Sequence, residues 1–364
     1  MRWKGFLTPA DSGSYRIGVA GAMNRLWLDG KLIVEDLTLH MPTATTATVS
    51  LEKGHRYALT LEYTRGGAGA KLVWLPLIPE VISQAVSAAQ HADVVVAVVG
   101  ITSDLEGEEM RNVDRPGFKG GDRTSLDLPQ EEEDLLRALQ GTGKPLVVVL
   151  MNGSALSVNW ANEHANAILD AWYAGEEGGA AIAQTLAGVN NPAGRLQVTF
   201  YRGIEQLPPF EDYSMSNRTY RYFEGQPLYP FGHGLSYSQF EYRNLKLSAA
   251  KLRAGEALGV EVEVKNTSRR DGDEVVQLYL SFPKSPGAPR RALRGFTRIH
   301  LGAGQAQHVK FTVQARDLSH VSEAGDRIVA AGAYSVSVGG GQPGTAAPGA
   351  TARFTIRGEQ KLPD

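Results

Sequence analysis

Carboxylates crowd one segment of this 364-residue chain. Asp104, Glu106, Glu108, Glu109, Asp114 and Asp122 lie within residues 101–128, interleaved with Arg111, Arg115, Lys119 and Arg123. A carboxylate becomes a general acid when its surroundings raise its pKa, and packing against a partner surface does this by removing water. The same residues also suit a solvated, charged loop, and composition alone leaves both readings open. Gly107, Gly117, Gly120 and Gly121 let the backbone turn where side chains would resist. So long a stretch without hydrophobic periodicity is uncommon in a compact α/β unit, and is usually functional or disordered.

Other chemistry-bearing patterns fail on inspection. Gly141-Thr-Gly-Lys144 lacks the spacing of a phosphate loop and precedes an apolar run instead of following one. Asn152-Gly-Ser-Ala155 lacks the second glycine of a nucleophile elbow. No glycine fingerprint for a dinucleotide follows Val99. His91, His164, His233 and His300 are scattered without metal-ligand spacing, so neither a metal nor a cofactor is expected. Asn217-Arg-Thr219 and Asn266-Thr-Ser268 match glycosylation acceptors, a short and frequent pattern.

The elements that must position the loop follow from periodicity. The residues preceding it in the chain end in the continuous apolar run Val94 to Val99, bounded by Asp93 and Gly100, which suits a strand buried on both faces of a parallel sheet. A helix is expected over 129–140, with Pro129 and four acidic residues in its first turns, where the helix dipole favours negative charge. Apolar runs at 144–150 and 167–172 read as further strands, and 79–92 and 178–187 as further helices. Strands alternating with helices make a mostly parallel sheet, whose carboxyl edge is where such sheets bind ligands. The loop at 101–128 leaves that edge.

The flanking regions are β-like. Before residue 77, Tyr15, Ile17 and Val19 alternate with polar or small residues, and Asp29-Gly30 between two apolar triplets predicts a type I′ hairpin. Trp27, on one of those strands, is expected in the core. From Phe240 onward alternation returns (Leu258, Val260, Val262 and Val264, for example), and about seven short strands indicate a sandwich. The fold class is multidomain: a partial β-sandwich over 1–77, a mostly parallel α/β sheet flanked by helices over 78–210, an ordered connector over 211–240, and an all-β sandwich over 241–358. Composition agrees with a globular chain, at 42% hydrophobic and 21% charged residues. The net charge of -2 gives no footprint for nucleic acid or acidic membranes. No apolar run approaches the length of a membrane span, and the N-terminus has no signal-peptide layout. The absence of cysteine excludes disulfides, thiolate metal sites and a thiol nucleophile.

Leu105-Glu-Gly-Glu-Glu-Met110 followed by Gly117-Phe-Lys-Gly-Gly-Asp-Arg-Thr-Ser-Leu-Asp-Leu-Pro129 resembles the acid/base loop of glycoside hydrolase family 3, the family of β-glucosidases and β-xylosidases. Trp172-Tyr-Ala-Gly-Glu-Glu-Gly-Gly179, Asn191-Pro-Ala-Gly-Arg-Leu196, Tyr220-Arg-Tyr-Phe223 and Tyr229-Pro-Phe-Gly-His-Gly-Leu-Ser-Tyr237 continue the resemblance. Asp271-Gly-Asp-Glu-Val-Val-Gln-Leu-Tyr279 and Leu293-Arg-Gly-Phe296 are similar to its fibronectin type III-like domain, and the first 75 or so residues to the protective-antigen-type sandwich inserted in some members. Ala174, Gln197 and Glu132 depart from the residues usual at their positions. The barrel that opens the family's fold, with its Asp nucleophile, has no counterpart here.

The resemblance implies a mechanism. Retaining glycosidases use two carboxyl groups about 5 Å apart, a nucleophile and a group that alternates between acid and base. The family draws the nucleophile from the barrel and the acid/base from this loop. The pattern puts that second group at Glu108, with Glu106 as the alternative, and Glu109 standing where glycine is usual. Asp122 and Arg123 are implied as supports that shape the loop. Expected partners are β-linked glucosides or xylosides and the absent barrel, with relatives secreted or periplasmic. The competing reading is a non-catalytic, carbohydrate-associated module.

Overall fold

The computed structural model of the chain describes residues 1–38, 44–64, 69–76, 81–107, 109–110 and 114–363. It divides into two compact units, one of residues 1–154 and 160–173, the other of residues 155–159 and 174–364.

The first unit opens with seven strands: β1 (Arg2–Leu7), β2 (Gly13–Ala20), β3 (Asn24–Leu28), β4 (Lys31–Asp36), β5 (Ala44–Leu51), β6 (Tyr57–Tyr63) and β7 (Lys71–Pro76). They form two antiparallel sheets of order β1-β6-β3-β4 and β5-β2-β7. Strand alternation sends Tyr15, Ile17 and Val19 from one sheet, and Leu26, Leu59 and Leu61 from the other, into a shared core. The β3–β4 hairpin turns at Asp29 and Gly30, both with positive φ (48° and 79°), as a type I′ turn requires. Trp27 departs from expectation. Leu26 and Leu28 take the buried face of β3, so the strand's period of two turns Trp27 to the other face, where it is only partly covered.

The α/β part follows as α1 (Val81–Gln90), β8 (Val95–Gly100), β9 (Asp114–Arg115), β10 (Phe118–Lys119), β11 (Asp122–Arg123), α2 (Gln130–Gln140), β12 (Leu146–Met151), α3 (Asn159–His164) and β13 (Ala167–Asp170). Strands β13, β12 and β8 lie side by side in that order, all parallel. Helix α2 starts immediately after Pro129, whose extended backbone ends the incoming loop, and buries Leu136 and Leu139 on its inner face. The central strand β12 is covered on both sides, with Val148, Val149 and Leu150 fully buried. The edge strand β8 is not: Ala97 and Val99 are buried, but Val96 and Val98 are 47% and 61% exposed. An unbroken apolar run therefore marks burial on both faces for β12 and on one face for β8.

The second unit holds α4 (Gly178–Leu186) and the strands β14 (Phe240–Leu247), β15 (Lys251–Arg253), β16 (Leu258–Asn266), β17 (Gly272–Ser281), β18 (Ala292–Leu301), β19 (Ala306–Val313), β20 (His320–Val321), β21 (Arg327–Val329), β22 (Gly332–Gly339), β23 (Gly349–Arg357) and β24 (Gln360–Lys361). A three-stranded sheet (β14-β16-β19) faces a five-stranded one (β15-β23-β22-β17-β18) across a core that includes Leu258, Val260, Val262, Leu278, Val336 and Phe354. The connector before β14 is tied down by side chains from the sequence motifs. Asn191 accepts from Ser236 Oγ and the Tyr237 N–H and donates to Ser238 Oγ and the Asp271 carbonyl. Arg195 forms a buried ion pair with Glu274 at 2.7 Å. Tyr220 stacks on Phe231 and its hydroxyl accepts the Leu293 N–H. Asn266 is fully buried and its amide donates to two backbone carbonyls, which excludes it as a glycan acceptor.

Candidate active site

Three loops leave the carboxyl ends of the three parallel strands, and one carboxylate joins them. Glu106 stands on the loop after β8. Its Oε2 accepts the Gly153 N–H at 3.1 Å, from the loop after β12, and the Tyr173 hydroxyl at 2.5 Å, from the loop after β13. Its Oε1 accepts the Ser154 hydroxyl in a short hydrogen bond. The location is the one that open parallel sheets reserve for ligands, because strand ends and their loops form a crevice there.

The backbone is built to allow this convergence. A Cβ on Gly153 would lie 2.5 Å from the Tyr173 ring and 2.8 Å from Glu106 Oε2, so only glycine lets the two side chains approach. At the end of β8, the Gly100 N–H donates to Glu132 Oε2 on α2 at 2.7 Å, which fixes the strand end from which the loop departs. Burial raises the Glu132 carboxyl above its usual range, and the Gly100 N–H opposes that shift. Farther along, the Met110 N–H donates to Gly120 O and the Thr124 N–H to Gly117 O, folding the loop back on itself. The strands β9, β10 and β11 form a small antiparallel sheet within it.

Arg123 secures the same cluster. Its Nη1 donates to Ser154 Oγ at 2.9 Å and its Nε to the Ser125 carbonyl at 3.0 Å. Burial pulls its guanidinium below the usual value, while the charge of Glu106 opposes that shift. Asp122, the other expected support, is next to Arg123 on β11, pairs across the ladder with Lys119, and is exposed. Successive strand residues face opposite ways, so of the two it is Arg123 that reaches the cluster. Tyr173 completes it: burial and then the bond to Glu106 push its hydroxyl well above the usual phenol range.

Glu108 lies outside the described residues. Of the described residues nearby, Glu106 is anchored, and Glu109 has a positive φ of 52°. That left-handed backbone favours glycine, and a side chain there costs about 1–2 kcal/mol. Strain of this kind gathers at functional loops.

Several residues here were not singled out from sequence. Gly153, Ser154 and Tyr173 belong to three separate loops, and only the strand order brings them together. Ser154, dismissed as a nucleophile, proves to be a donor to Glu106. Asp170, at the end of β13, is pushed by burial up to about 6, against the opposing pull of the Trp172 N–H and the Asn152 amide. The available signal was position, since Asp170 ends an apolar strand whose next loop carries Tyr173. Among the described residues, no three His, Cys, Asp or Glu side chains cluster as a metal site would require.

Residues 7–237 match the glycosyl hydrolase family 3 C-terminal domain. The chain belongs to glycoside hydrolase family 3. Residues 274–342 match the fibronectin type III-like domain. A xylan 1,4-β-xylosidase of Xylanibacter ruminicola is 38% identical over 304 residues, covering 82% of this chain and 34% of that protein. A periplasmic β-glucosidase of Salmonella typhimurium is 37% identical over 271 residues, covering 71% and 34%. The crystal structure of a Kluyveromyces marxianus β-glucosidase in complex with glucose superposes with a TM-score of 0.82 at 28% identity, covering 99% of this chain and 44% of that one. The chain thus spans between a third and a half of these family 3 relatives.

Proposed function

We propose that this chain is the C-terminal part of a retaining β-glycosidase that removes terminal β-D-glucosyl residues from short glycosides or oligosaccharides. Glu108 is its general acid/base, protonating the leaving oxygen in the first step and deprotonating water in the second. The nucleophile comes from a barrel domain, which this chain does not contain. The observation that carries the assignment is the anchoring of Glu106: with both oxygens engaged by Ser154, Gly153 and Tyr173, it is an anchor for the loop. Its oxygens already accept three hydrogen bonds. That favours Glu108, two positions on, as the proton donor. Arg123 acts as a support by holding Ser154 against Glu106.

A β-xylosidase of the same family is the second reading, favoured by the name of the X. ruminicola relative. Four parts underlie the function: a sandwich over 1–77, the α/β domain over 78–210, a connector over 211–240 and the fibronectin-like domain over 241–358. A secreted or periplasmic location follows the Salmonella relative's name, and no described helix is long and apolar enough to cross a membrane.

The test is turnover of aryl β-glucosides and β-xylosides. The purified 364-residue chain is expected to hydrolyse both at background rate, and the same chain joined to a family 3 barrel to hydrolyse the glucoside faster than the xyloside. Robust turnover by the chain alone would place a nucleophile within it. Inactivity of the joined protein, folded, would favour the non-catalytic module.

A further inference from the structure

Strand β8 is an edge of the parallel sheet, and its backbone shows which groups there lack a strand partner. The Val95 N–H donates to Pro145 O and the Ile101 N–H to Met151 O, each at 2.9 Å and each toward β12. Backbone groups alternate in direction along a strand, so Val95, Ala97 and Val99 bond toward β12, and Val96, Val98 and Gly100 point to the opposite edge. Glu132 takes the Gly100 N–H. No strand among the described residues pairs with Val96 or Val98 on that edge. The side chains on one face are open as well: Val94, Val96 and Val98 are exposed, while Ala97 and Val99 on the other face are buried. A parallel sheet is ordinarily covered on both faces, and a flat apolar edge is a template for another strand.

Helix α1, the element before β8, is uncovered too. Val81, Ile82, Ala85, Val86 and Ala89 form an apolar stripe at helical spacing, yet only Ala89 is buried. Val81 and Ile82 are 61% and 38% exposed. Helix α1 lies alongside α2, the crossover from β8 to β12, so the two share a face of the sheet. Crossovers between parallel strands are right-handed. A helix on that face leading into β8 therefore comes from a strand on the side of β8 away from β12, which is the open edge. The strand before α1 in this chain is β7, and it belongs to the sandwich, paired with β2. The crossover has its helix and its second strand without its first.

We propose that the open edge of β8 docks one further parallel strand, apolar on both faces, from the part of a family 3 enzyme that this chain does not span. The K. marxianus β-glucosidase has room for it: 99% of this chain superposes on 44% of that one. The docked strand bonds to the free backbone groups of Val96 and Val98. Its side chains cover Val94, Val96 and Val98 on one face and meet Val81 and Ile82 of α1 on the other. The sandwich of β1 to β7 then stands between the first strand and the helix of a single βαβ unit. This docking does not depend on Glu108 or on turnover.

The experiment is amide hydrogen exchange read at single residues, on the full chain and on the same chain joined to the part of the K. marxianus enzyme that it does not cover. The Val96 and Val98 amides are expected to exchange at least about tenfold more slowly in the joined protein, and the Val149 amide on β12, already between two strands, to change less. Val98→Asp, on the open face, should leave the full chain's exchange as it is and return Val96 of the joined protein toward the rate in the full chain. If the full chain does not fold alone, the joined protein carries the test. There Val98→Asp speeds the Val96 amide, and Val321→Asp, at an exposed position on β20, does not. Equal Val96 rates in the joined protein and both variants, or unchanged rates on joining, would overturn the proposal. Protection of Val96 and Val98 that grows with the concentration of the full chain alone would assign the edge to a second copy and also overturn it.

Discussion

Glu106 and Glu108 are two residues apart, and the proposed division of roles rests on what surrounds the first. Glu106 receives a peptide N–H, a serine hydroxyl and a tyrosine hydroxyl, with Arg123 behind the serine. Hydrogen bonds to a charged acceptor contribute about 1.5–3 kcal/mol each, enough for this cluster to hold three loop ends in register. Asp170 is the cluster's pH-sensitive neighbour. Its carboxyl titrates near 3.8 when unfolded and is pushed up to about 6 in the fold, with burial as the cause. The folded protein therefore binds more protons than the unfolded chain between those values, and stability falls as pH rises through them. Asp170→Asn is expected to remove this loss: about 2 kcal/mol more stable than the original at pH 7, after discounting for partial exposure, and close to equal near pH 4. Urea denaturation of both proteins at the two pH values checks it, and an unchanged difference between them would refute it.

At the scale of elements, the two apolar strands β8 and β12 look alike in sequence and differ in burial. Strand β12 lies between two neighbours and β8 at an edge, so β8 leaves Val96 and Val98 open on one face. Val148→Thr is expected to cost about 1–3 kcal/mol, because a hydroxyl enters a packed interior. Val98→Thr should stay within about 0.5 kcal/mol. Equal costs in urea unfolding would contradict the burial difference. The helix starting after Pro129 and the Asp29-Gly30 hairpin were legible because each depends on a local rule of backbone geometry. Burial of β8 was not, since strand order sets it and a hydrophobic run carries no information on order. Trp27 failed similarly: its residue type suggests the core, but the phase of β3 is set by Leu26 and Leu28. The acid loop was legible as a place, through its length, charges and glycines. Its anchors were not, because Gly153, Ser154 and Tyr173 converge only once three parallel strands align.

For the whole molecule, the two units are built differently. The first presents a charged loop at the carboxyl edge of a parallel sheet, and the second packs two sheets of a sandwich around an apolar core. The chain covers 34% to 44% of the relatives described, and a retaining mechanism needs two carboxyl groups, so the proposal assigns this chain one of them. The most direct measurement is azide rescue in the enzyme that joins this chain to a barrel, using an aryl β-glucoside with a good leaving group. Glu108→Ala should lose turnover by about 10²–10⁴-fold and regain it in azide with formation of the β-glucosyl azide, because a small anion attacks the glycosyl-enzyme without a base. Glu106→Ala should lose activity without rescue. Rescue of Glu106→Ala, with Glu108→Ala retaining near-normal turnover, would contradict the assignment.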